Sequence, residues 1–390
     1  KSSALCWSAP SSISGRIAGF PKGKRGERIL MKYEEGQIAD KRIAVICLSK
    51  NAGGMELDAI AITKTMAEIA KESLVIVRSG SWLDKICAEK NITVKSVPMK
   101  GNFSITAIFK FRKIIKDRNI STVIFLGSAE MPTLFLSLLR KNLKFIVRHG
   151  TTKVRSKKDL LHRVSWSKVT SHWCISEHIR KNVESIFPVR NKSVFVAYVN
   201  QEYKFKDISL ANSGYVNPEA LELVHIGRLV EGKGQSDVVR IVAALEKFGI
   251  TAHATFFGVG PDESGLVSLS EELGVNRRVF FKGNQEAAYR YLRDYDFFVF
   301  PSYGEGLGNA LIEAAYSGMP CFVYKNTVFP ELARMGLNLN FSEESDYLSM
   351  AKDIARLYNS ERKDVFSDNR KVIKKYFSKE KELSVLAHYV

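Results

Sequence analysis

Two glutamates, Glu305 and Glu313, stand eight positions apart across a turn rich in glycine. The turn follows an apolar run at residues 297–301 and precedes a helical pattern that starts near Asn309. A strand, a glycine turn and a helix leave free backbone N–H groups at the helix start, where phosphate binds. Glu313 lies about one turn inside this helix, where an ionised carboxylate can accept hydrogen bonds from the vicinal hydroxyls of a ribose. The pattern predicts a nucleotide-binding turn formed by Gly304, Glu305, Gly306, Leu307, Gly308 and Asn309.

A second segment carries cations that suit the same ligand. Residues 223–234 read Leu-Val-His-Ile-Gly-Arg-Leu-Val-Glu-Gly-Lys-Gly, which places Gly227, Arg228 and Lys233 directly after an apolar strand pattern. Cleavage of a sugar-phosphate bond leaves a nucleoside diphosphate, whose growing negative charge Arg and Lys side chains stabilise. Taken singly, each cation reads as a solvated surface charge and the glycine turn as an ordinary α/β connection.

The two segments together resemble the retaining, nucleotide-sugar-dependent glycosyltransferases of family four, which have the GT-B fold and include bacterial cell-envelope enzymes. The resemblance rests on the E-x7-E spacing of Glu305 and Glu313, on Pro301 and Ser302 before it, and on the upstream cations. It implies that Arg228 and Lys233 bind the donor diphosphate, that Glu305 orients the donor sugar and that Glu313 holds the ribose. Because cations and a helix end would neutralise the diphosphate, we expect no metal and no cofactor beyond the donor substrate.

The front half offers weaker candidates. By the same resemblance, His149 occupies the family's active-site histidine position, faces the interdomain cleft and contacts the donor sugar. Gly53 and Gly54 follow the first strand and, by this resemblance, would bring the backbone close to the donor and acceptor. The alternative for the two glycines is an ordinary tight turn, and the alternative for His149 is a structural imidazole. Ser176 is a possible cleft-lining residue, whereas His225 lies within a strand and is expected to be structural. The candidate catalytic residues are therefore His149, Glu305, Arg228 and Lys233.

Composition and pattern together predict two α/β domains. The chain has 390 residues, 45% of them hydrophobic and 26% charged, which is ordinary for a globular protein with two cores. Apolar strand patterns alternate with helical ones in both halves, which favours parallel sheets. The predicted strands lie at 42–48, 73–77, 122–127, 144–148 and 193–198 in the first half and at 222–227, 252–258, 278–283, 296–301 and 321–324 in the second. We expect a GT-B arrangement of two Rossmann-like domains facing across a cleft: an acceptor-side domain at 41–200, a nucleotide-sugar domain at 201–375 and a helix at 376–390 that returns to the first domain.

The net charge of +18 is distributed unevenly along the chain. Residues 41–200 contain 29 Lys and Arg against 11 Asp and Glu, whereas residues 201–390 contain 23 against 26. Such asymmetry indicates a partner with an anionic surface, either membrane lipid or nucleic acid. Two segments mix cations with apolar residues as an interfacial helix does, and the alternative for each is an ordinary helix with a buried apolar side. The first, residues 103–118, combines Ile105, Ile108, Phe109, Phe111 and Ile115 with Lys110, Arg112, Lys113, Lys116 and Arg118; the second, residues 153–168, combines Leu160, Leu161 and Trp166 with six cations.

The ends and the cysteines complete the prediction. Residues 1–40 are expected to be a flexible tail or a remnant of upstream translation, with Met31 as an alternative start. No apolar stretch reaches the roughly 20 residues that span a bilayer. Five dispersed cysteines without metal-ligand spacing indicate reduced thiols. We therefore expect a cytoplasmic protein, peripheral at the inner face of the cell membrane.

The function predicted from these features is retaining transfer of a sugar from a nucleoside diphosphate sugar to a membrane-associated glycan or lipid-linked acceptor of the cell envelope. A nucleotide-sugar epimerase or a phosphorylase on the same fold is one alternative. A basic nucleic-acid-binding protein is the other, but zinc-finger spacing and the aromatic-glycine strings of RNA-binding modules are missing, so no nucleic-acid partner is expected. The sequence leaves the base, the sugar and the acceptor open.

Overall fold

The chain is described by a computed structural model that covers residues 38–50, 53–189, 193–211, 215–217, 219–360, 366 and 368–390. Two parallel β-sheets lie in succession along this chain, and helices cover their faces. Both sheets are built from short apolar runs, because a parallel strand covered on both faces must be hydrophobic along its whole length.

The first sheet has seven strands in the order β3-β2-β1-β4-β5-β6-β7. Their bounds are β1 Arg42–Cys47, β2 Glu72–Arg78, β3 Val94–Val97, β4 Thr122–Leu126, β5 Lys144–His149, β6 Ser171–Cys174 and β7 Val194–Val196. The helices of this half are α1 Gly54–Ile69, α2 Trp82–Glu89, α3 Ile105–Asp117, α4 Met131–Leu138, α5 Leu160–Ser165, α6 Glu177–Ile186 and α7 Glu202–Phe205.

The second sheet has six strands in the order β10-β9-β8-β11-β12-β13. Their bounds are β8 Leu221–Ile226, β9 Ala252–Phe257, β10 Val279–Phe281, β11 Phe297–Phe300, β12 Cys321–Tyr324 and β13 Asn340–Ser342. Its helices are α8 Gln235–Leu245, α9 Glu263–Glu272, α10 Asn309–Ser317, α11 Phe329–Arg334 and α12 Tyr347–Tyr358, followed by α13 Asn369–Tyr376 and α14 Lys379–Leu386; three short 3-10 turns are Glu246–Phe248, Asn276–Arg278 and Ala288–Asp294.

Each sheet has one topological switch point, where successive strands stop being added to one edge of the sheet and begin to be added to the other. In the first sheet this point lies between β1 and β4, and in the second between β8 and β11. Loops that leave two such strands diverge to opposite sides, and the crevice between them is where open α/β sheets bind ligands. The glycine turn of Glu305 follows β11, and the loop of Arg228 and Lys233 follows β8, so both predicted segments lie at one crevice.

The C-terminal helices join the two halves. In α13, Ile373 belongs to the apolar cluster that contains Leu311 of α10, whereas Leu386 of α14 packs with Val45 and other residues of the first sheet. The ring of Tyr389 stacks on Phe195 with centroids 3.7 Å apart. The chain end therefore crosses back to the first domain, as the resemblance implied.

Most of the predicted architecture is confirmed, with identifiable exceptions. The α/β fold with two parallel sheets is as expected, but strands β3, β6 and β13 were not among the strands predicted from apolar runs. The prediction that residues 1–40 form a flexible tail is wrong at Ile38, which is only 1% exposed and packs in the core of the first sheet. Residues 1–37 lie outside the described residues. The domain limits at 200 and 375 stay predictions, and residues 212–214 and 218 of the expected linker are also outside the description.

A buried carboxyl group in α14 gives the first testable prediction. Burial raises the pKa of Glu382 to about 8 from its usual 4.5, while Arg148 opposes this rise and Asp58 adds to it. Between these two values the unfolded chain releases a proton that the folded chain keeps, so stability falls as the pH rises. We expect Glu382→Gln to gain stability relative to wild type by about 1.4 kcal/mol for each pH unit across this window, and no further above it.

Urea unfolding at pH 5, 6, 7, 8 and 9 measures this difference. Glu380→Gln, an exposed carboxylate two residues away on the same helix, is the matched control and should show a small offset that does not change with pH. A constant difference between Glu382→Gln and wild type at all five pH values would contradict the buried, protonated state of this group.

Candidate functional site

The loop after β8 and the turn after β11 touch each other at the crevice of the second sheet. Gly234 has φ +76, and a Cβ atom built there would lie 2.0 Å from the carbonyl oxygen of Pro301. Only glycine fits this close approach and this left-handed conformation. The tight contact brings Lys233, one residue earlier, over the turn that contains Glu305.

Lys233 and Glu305 form an ion pair in this crevice. The Nζ atom of Lys233 is 2.5 Å from Oε1 of Glu305, and the hydroxyl of Ser302 is 3.2 Å from the same oxygen. Arg228 lies on the same loop with an exposed side chain, and it makes no ion pair with any residue that the structure describes. The crevice therefore holds one cation balanced by a carboxylate and one cation whose charge is unbalanced, which leaves it suited to an anionic ligand.

Helix α10 begins at this crevice. Its N-cap, Gly308, has φ +76, and the helix runs from Asn309 with Leu307 buried just before it. The first N–H groups of an α-helix have no partner within the helix, and together with the helix dipole they favour a phosphate group. The turn predicted to bind phosphate therefore leads into a helix start, as expected, while phosphate binding there stays a prediction.

Glu313 lies one turn further along α10 and is buried. Its Oε1 atom pairs with the ammonium group of Lys204, which comes from α7 between the two sheets. From the same segment, Nε2 of Gln201 donates to Oδ1 of Asn309 at 3.2 Å. Sequence reasoning missed Lys204, since it lies 109 residues from Glu313 and no local pattern marks it.

The first domain approaches the same turn from the opposite side. A Cβ atom on Gly306 would lie 2.3 Å from the carbonyl oxygen of Gly150, and the hydroxyl of Ser176 donates to the carbonyl oxygen of Gly306 at 2.7 Å. Gly54 faces Asn309, since a Cβ atom built on it would lie 4.0 Å from Nδ2 of that residue. Ser176 therefore lies at the contact between the two domains, where Gly54 and Gly150 of the first domain meet the turn and helix start of the second.

A carboxylate that the sequence analysis did not single out joins the two domains. Glu331 of α11 accepts hydrogen bonds from the backbone N–H groups of Glu177 and His178 at 2.8 and 2.9 Å, and from the hydroxyl of Tyr198 at 2.7 Å. It therefore caps the start of α6 across the domain boundary, where a negative charge is favourable. The one feature of the sequence that could have pointed to Glu331 is its place in a short helix just after β12, at the edge of the sheet where ligand sites form.

The expectation for the side chain of His149 is wrong. Its imidazole is 5% exposed and does not face the cleft: Nε2 is 3.0 Å from Nδ1 of His172, and the ring packs against Trp166 and Phe187. Burial holds the pKa of His149 well below its usual range, with His172, Lys153 and Arg148 lowering it further. The cause is strand alternation in β5, which directs Arg148 to Asp58 of α1 and the next residue to the opposite face.

The remaining candidates have clear places. Gly53 is extended at φ 178 and immediately precedes α1, while residues 51 and 52 lie outside the described chain. Gly227 ends β8, and its N–H donates to the carbonyl oxygen of Phe257 at 2.9 Å. His225 is structural, as expected: it is buried with Nδ1 3.0 Å from the carbonyl oxygen of Val299, and burial lowers its pKa to about 4.

The described residues contain neither a metal-binding cluster nor a membrane-spanning helix. No three His, Cys, Asp or Glu side chains in that part of the chain are close enough to bind a metal ion. No helix there combines the length and the apolar character needed to cross a bilayer.

Known proteins resemble this chain in fold and, over part of its length, in sequence. Residues 212–379 match the family described as glycosyl transferases group 1. The chain is 28% identical over 301 residues to the capsular polysaccharide biosynthesis glycosyltransferase CapH of Staphylococcus aureus. This aligned region covers 71% of this chain and 79% of CapH. It is 36% identical over 102 residues to the lipopolysaccharide core biosynthesis glycosyltransferase LpsD of Rhizobium meliloti (strain 1021), covering 26% of this chain and 29% of LpsD.

Among solved structures, HepE of Anabaena in complex with UDP and glucose matches with a TM-score of 0.75 at 15% identity, covering 89% of this chain and 98% of HepE. The expectation of a GT-B fold is therefore confirmed. The matched segment 212–379 contains both the Arg228 loop and the Glu305 turn, so the crevice described above lies within the part of the chain that this family matches.

The contact between Gly306 and the first domain gives the second prediction. Gly306→Ala places a methyl group against the carbonyl oxygen of Gly150, and overpacking of this kind costs about 1–3 kcal/mol unless the backbone moves. We expect the two domains to separate, which increases the radius of gyration measured by small-angle X-ray scattering and speeds hydrogen exchange at the start of α6. Gly304→Ala, in the same turn with no atom within 4 Å of the added methyl, is the matched control and should behave as wild type. Identical scattering and exchange for both variants would show that the contact does not hold the domains together.

Proposed function

We propose that the chain is a retaining glycosyltransferase of the family-four type, which transfers a sugar from a nucleoside diphosphate sugar to a glycan or lipid-linked acceptor of the bacterial cell envelope. The observation that carries this proposal is the crevice between β8 and β11, where Arg228, the Lys233–Glu305 pair and the start of α10 converge. The group 1 match over this region supports the proposed activity. The names of CapH and LpsD support a cell-envelope acceptor.

The proposed binding mode assigns each part of the donor to a described group. The diphosphate lies at the start of α10 between Arg228 and Lys233, whose charges stabilise the leaving group as it forms. A phosphate oxygen close to Lys233 competes with Glu305 for its ammonium group and releases this carboxylate to the hydroxyl groups of the donor sugar. Glu313 accepts hydrogen bonds from the ribose. The His149 side chain has no part in this arrangement, because it faces the interior.

The proposed chemistry needs no metal and no covalent enzyme intermediate. Preplaced cations and helix N–H groups supply the charge stabilisation that a divalent ion supplies elsewhere. In the mechanism implied by the family resemblance, the acceptor hydroxyl attacks from the face that the diphosphate leaves. The departing phosphate then accepts the proton of that hydroxyl, and the anomeric configuration is retained.

Stereochemistry, metal dependence and reaction type are tested together. Wild-type protein is incubated with uridine, guanosine and adenosine diphosphate sugars and a glycan acceptor, with and without excess chelator. We expect one donor class to give a new glycosidic bond whose anomeric configuration, measured by proton NMR, is that of the donor, in both conditions. An inverted linkage would exclude the family-four assignment, and loss of transfer in chelator would exclude charge neutralisation by the two cations alone. Epimerised donor or phosphorolysis without transfer would favour the alternative enzymes.

The cations have a matched control in the same domain. Arg228→Ala and Lys233→Ala should each lower kcat/KM for the donor. We expect each decrease to correspond to a loss of roughly 2–4 kcal/mol of transition-state stabilisation. Arg356→Ala removes a guanidinium group that is 80% exposed on α12 and should leave kcat/KM unchanged. Equal effects of all three changes would remove the two cations from the donor site.

We also propose that the first domain docks on an anionic membrane surface at the inner face of the cell membrane. Part of the predicted interfacial helix is wrong, because Ile108, Phe111 and Ile115 of α3 are buried in the core. Other apolar side chains in α3, in α5 and just before α3 remain exposed, and both helices pack against α4. We call the surface that they form the apolar-basic face; it consists of Phe103, Ile105, Phe109, Leu160 and Leu161, with Lys110, Lys113, Lys116, Lys158 and Arg163 around them. Apolar residues flanked by cations are typical of helices that lie at a headgroup boundary.

Vesicle binding tests the apolar-basic face. Vesicles that contain anionic lipid should bind the protein at low salt, since each cation near the surface contributes about 1 kcal/mol and salt screens the attraction. Neutralising Lys110, Lys113 and Lys116 should release the protein, whereas neutralising Lys325 and Lys371, which are exposed in the second half, should not. Salt-sensitive binding to duplex DNA without binding to vesicles or nucleotide sugars would instead favour the nucleic-acid alternative.

A further inference from the structure

The segment between the two sheets follows one face of the donor helix α10. Gln201 contacts Asn309, Lys204 contacts Glu313, and the ring of Phe205 stacks on Tyr316 with centroids 4.2 Å apart and planes at 9°. Asn309, Glu313 and Tyr316 are spaced four and three residues apart, so they lie on the same side of the helix. Three successive contacts fix the register of this segment against the helix that would bind the donor.

The contact between Lys204 and Glu313 is the ionic one, and it is buried. The side chains of both residues are 9% exposed. The salt bridges of the described residues include no other cation within 4 Å of the Glu313 carboxylate. Among the described residues, Lys204 is therefore the single ionic partner of Glu313.

The pair leaves one carboxylate oxygen open. Lys204 binds Oε1 of Glu313, and Oε2 accepts no hydrogen bond from the described residues. Burial lowers the pKa of Lys204, but Glu313, Tyr203 and Asp58 outweigh it and hold this pKa above its usual range. The ammonium group thus keeps its charge and gives Glu313 a charged hydrogen-bond donor.

The position of Lys204 depends on the first domain and the C-terminal crossing. The backbone N–H of Gln201 donates to the carbonyl oxygen of Phe377 at 2.9 Å, and the N–H of Lys379 donates to Oε2 of Glu202 at 3.0 Å. These bonds attach the segment to the stretch between α13 and α14.

We propose that Lys204 is a positioning residue for the donor: its ion pair fixes the carboxylate of Glu313 so that Oε2 accepts a hydrogen bond from a ribose hydroxyl of the nucleoside diphosphate. This inference rests on the proposed ribose-binding role of Glu313. Without the cation, Glu313 is a buried carboxylate with no ionic partner, and desolvation disfavours its charge. Recognition of the ribose hydroxyl then becomes dependent on pH in a range where the wild-type protein is insensitive.

Paired nucleotides provide the test. Isothermal titration calorimetry measures Kd for UDP and 2′-deoxy-UDP, and for the corresponding guanosine and adenosine pairs, from pH 5.5 to 8.5. The ratio of the two Kd values within a pair reports the hydroxyl contact alone, because both nucleotides titrate alike. For wild type we expect a preference of roughly tenfold for the ribonucleotide that does not vary with pH, as a hydrogen bond to a charged group provides.

Lys204→Met should lose this preference at low pH and recover part of it toward pH 8.5. Lys204→Arg, which keeps the charge, should restore a preference independent of pH, and Lys206→Met, an exposed lysine two residues further on, should match wild type. A merely structural role would weaken ribonucleotide and deoxynucleotide equally at all pH values. If Lys204→Met does not fold, Lys204→Gln, which keeps a hydrogen-bond donor without the charge, is expected to show the same loss.

Failure of this inference is distinguishable from failure of the proposed function. A wild-type protein that binds no nucleotide, or that binds both members of each pair equally, overturns the ribose-binding role of Glu313 and this inference with it. A wild-type preference that Glu313→Gln abolishes, but that Lys204→Met and Lys204→Gln retain at every pH, overturns the role of Lys204 alone.

Discussion

Three buried carboxylates, each bound to a group from another element, determine how the parts of this molecule meet. Asp58 of α1 pairs with Arg148 of β5 within the first domain, and Glu313 of α10 pairs with Lys204 between the domains. Glu331 of α11 accepts two N–H groups from the start of α6 across the cleft. An unpaired buried charge costs several kcal/mol, so each carboxylate fixes the position of its partner. The apolar cluster that includes residues of both domains stabilises their association, while these carboxylate contacts fix the relative position of the elements that meet there.

The same electrostatic logic makes the crevice between β8 and β11 different from the rest of the interface. There the ion pair of Lys233 and Glu305 is only partly buried, and Arg228 is exposed without a carboxylate partner in the described chain. A buried pair with ideal contacts would resist entry of a ligand, because both charges would have to be separated. A partly exposed pair next to a free cation and a helix start can exchange its internal contact for a contact with phosphate at little cost.

The sequence predicts local arrangement well and long-range contacts poorly. The apolar runs identified β1, β2 and β12, and the spacing of glycines around Glu305 predicted the turn and the start of α10. Strand β6 was not predicted as a strand from apolar periodicity, because Ser171 and His172 interrupt its apolar character even though the whole strand is buried. Lys204 and Glu331 were missed because their partners lie 109 and 154 residues away, a distance over which residue type and spacing carry no signal.

The burial of His149 shows why a residue at a strand end can support a site without lining it. Its ring lies among Trp166, His172 and Phe187, and its carbonyl oxygen accepts the N–H of Ile175 at 3.3 Å. These contacts fix the end of β5, from which Gly150 extends to within van der Waals reach of Gly306. Because Ser176 follows Ile175 and donates to the carbonyl oxygen of Gly306, the aromatic cluster indirectly holds the turn of Glu305 from the first domain. A change that loosens this cluster would therefore act on the turn of Glu305 through the backbone, without any contact between the imidazole and that turn.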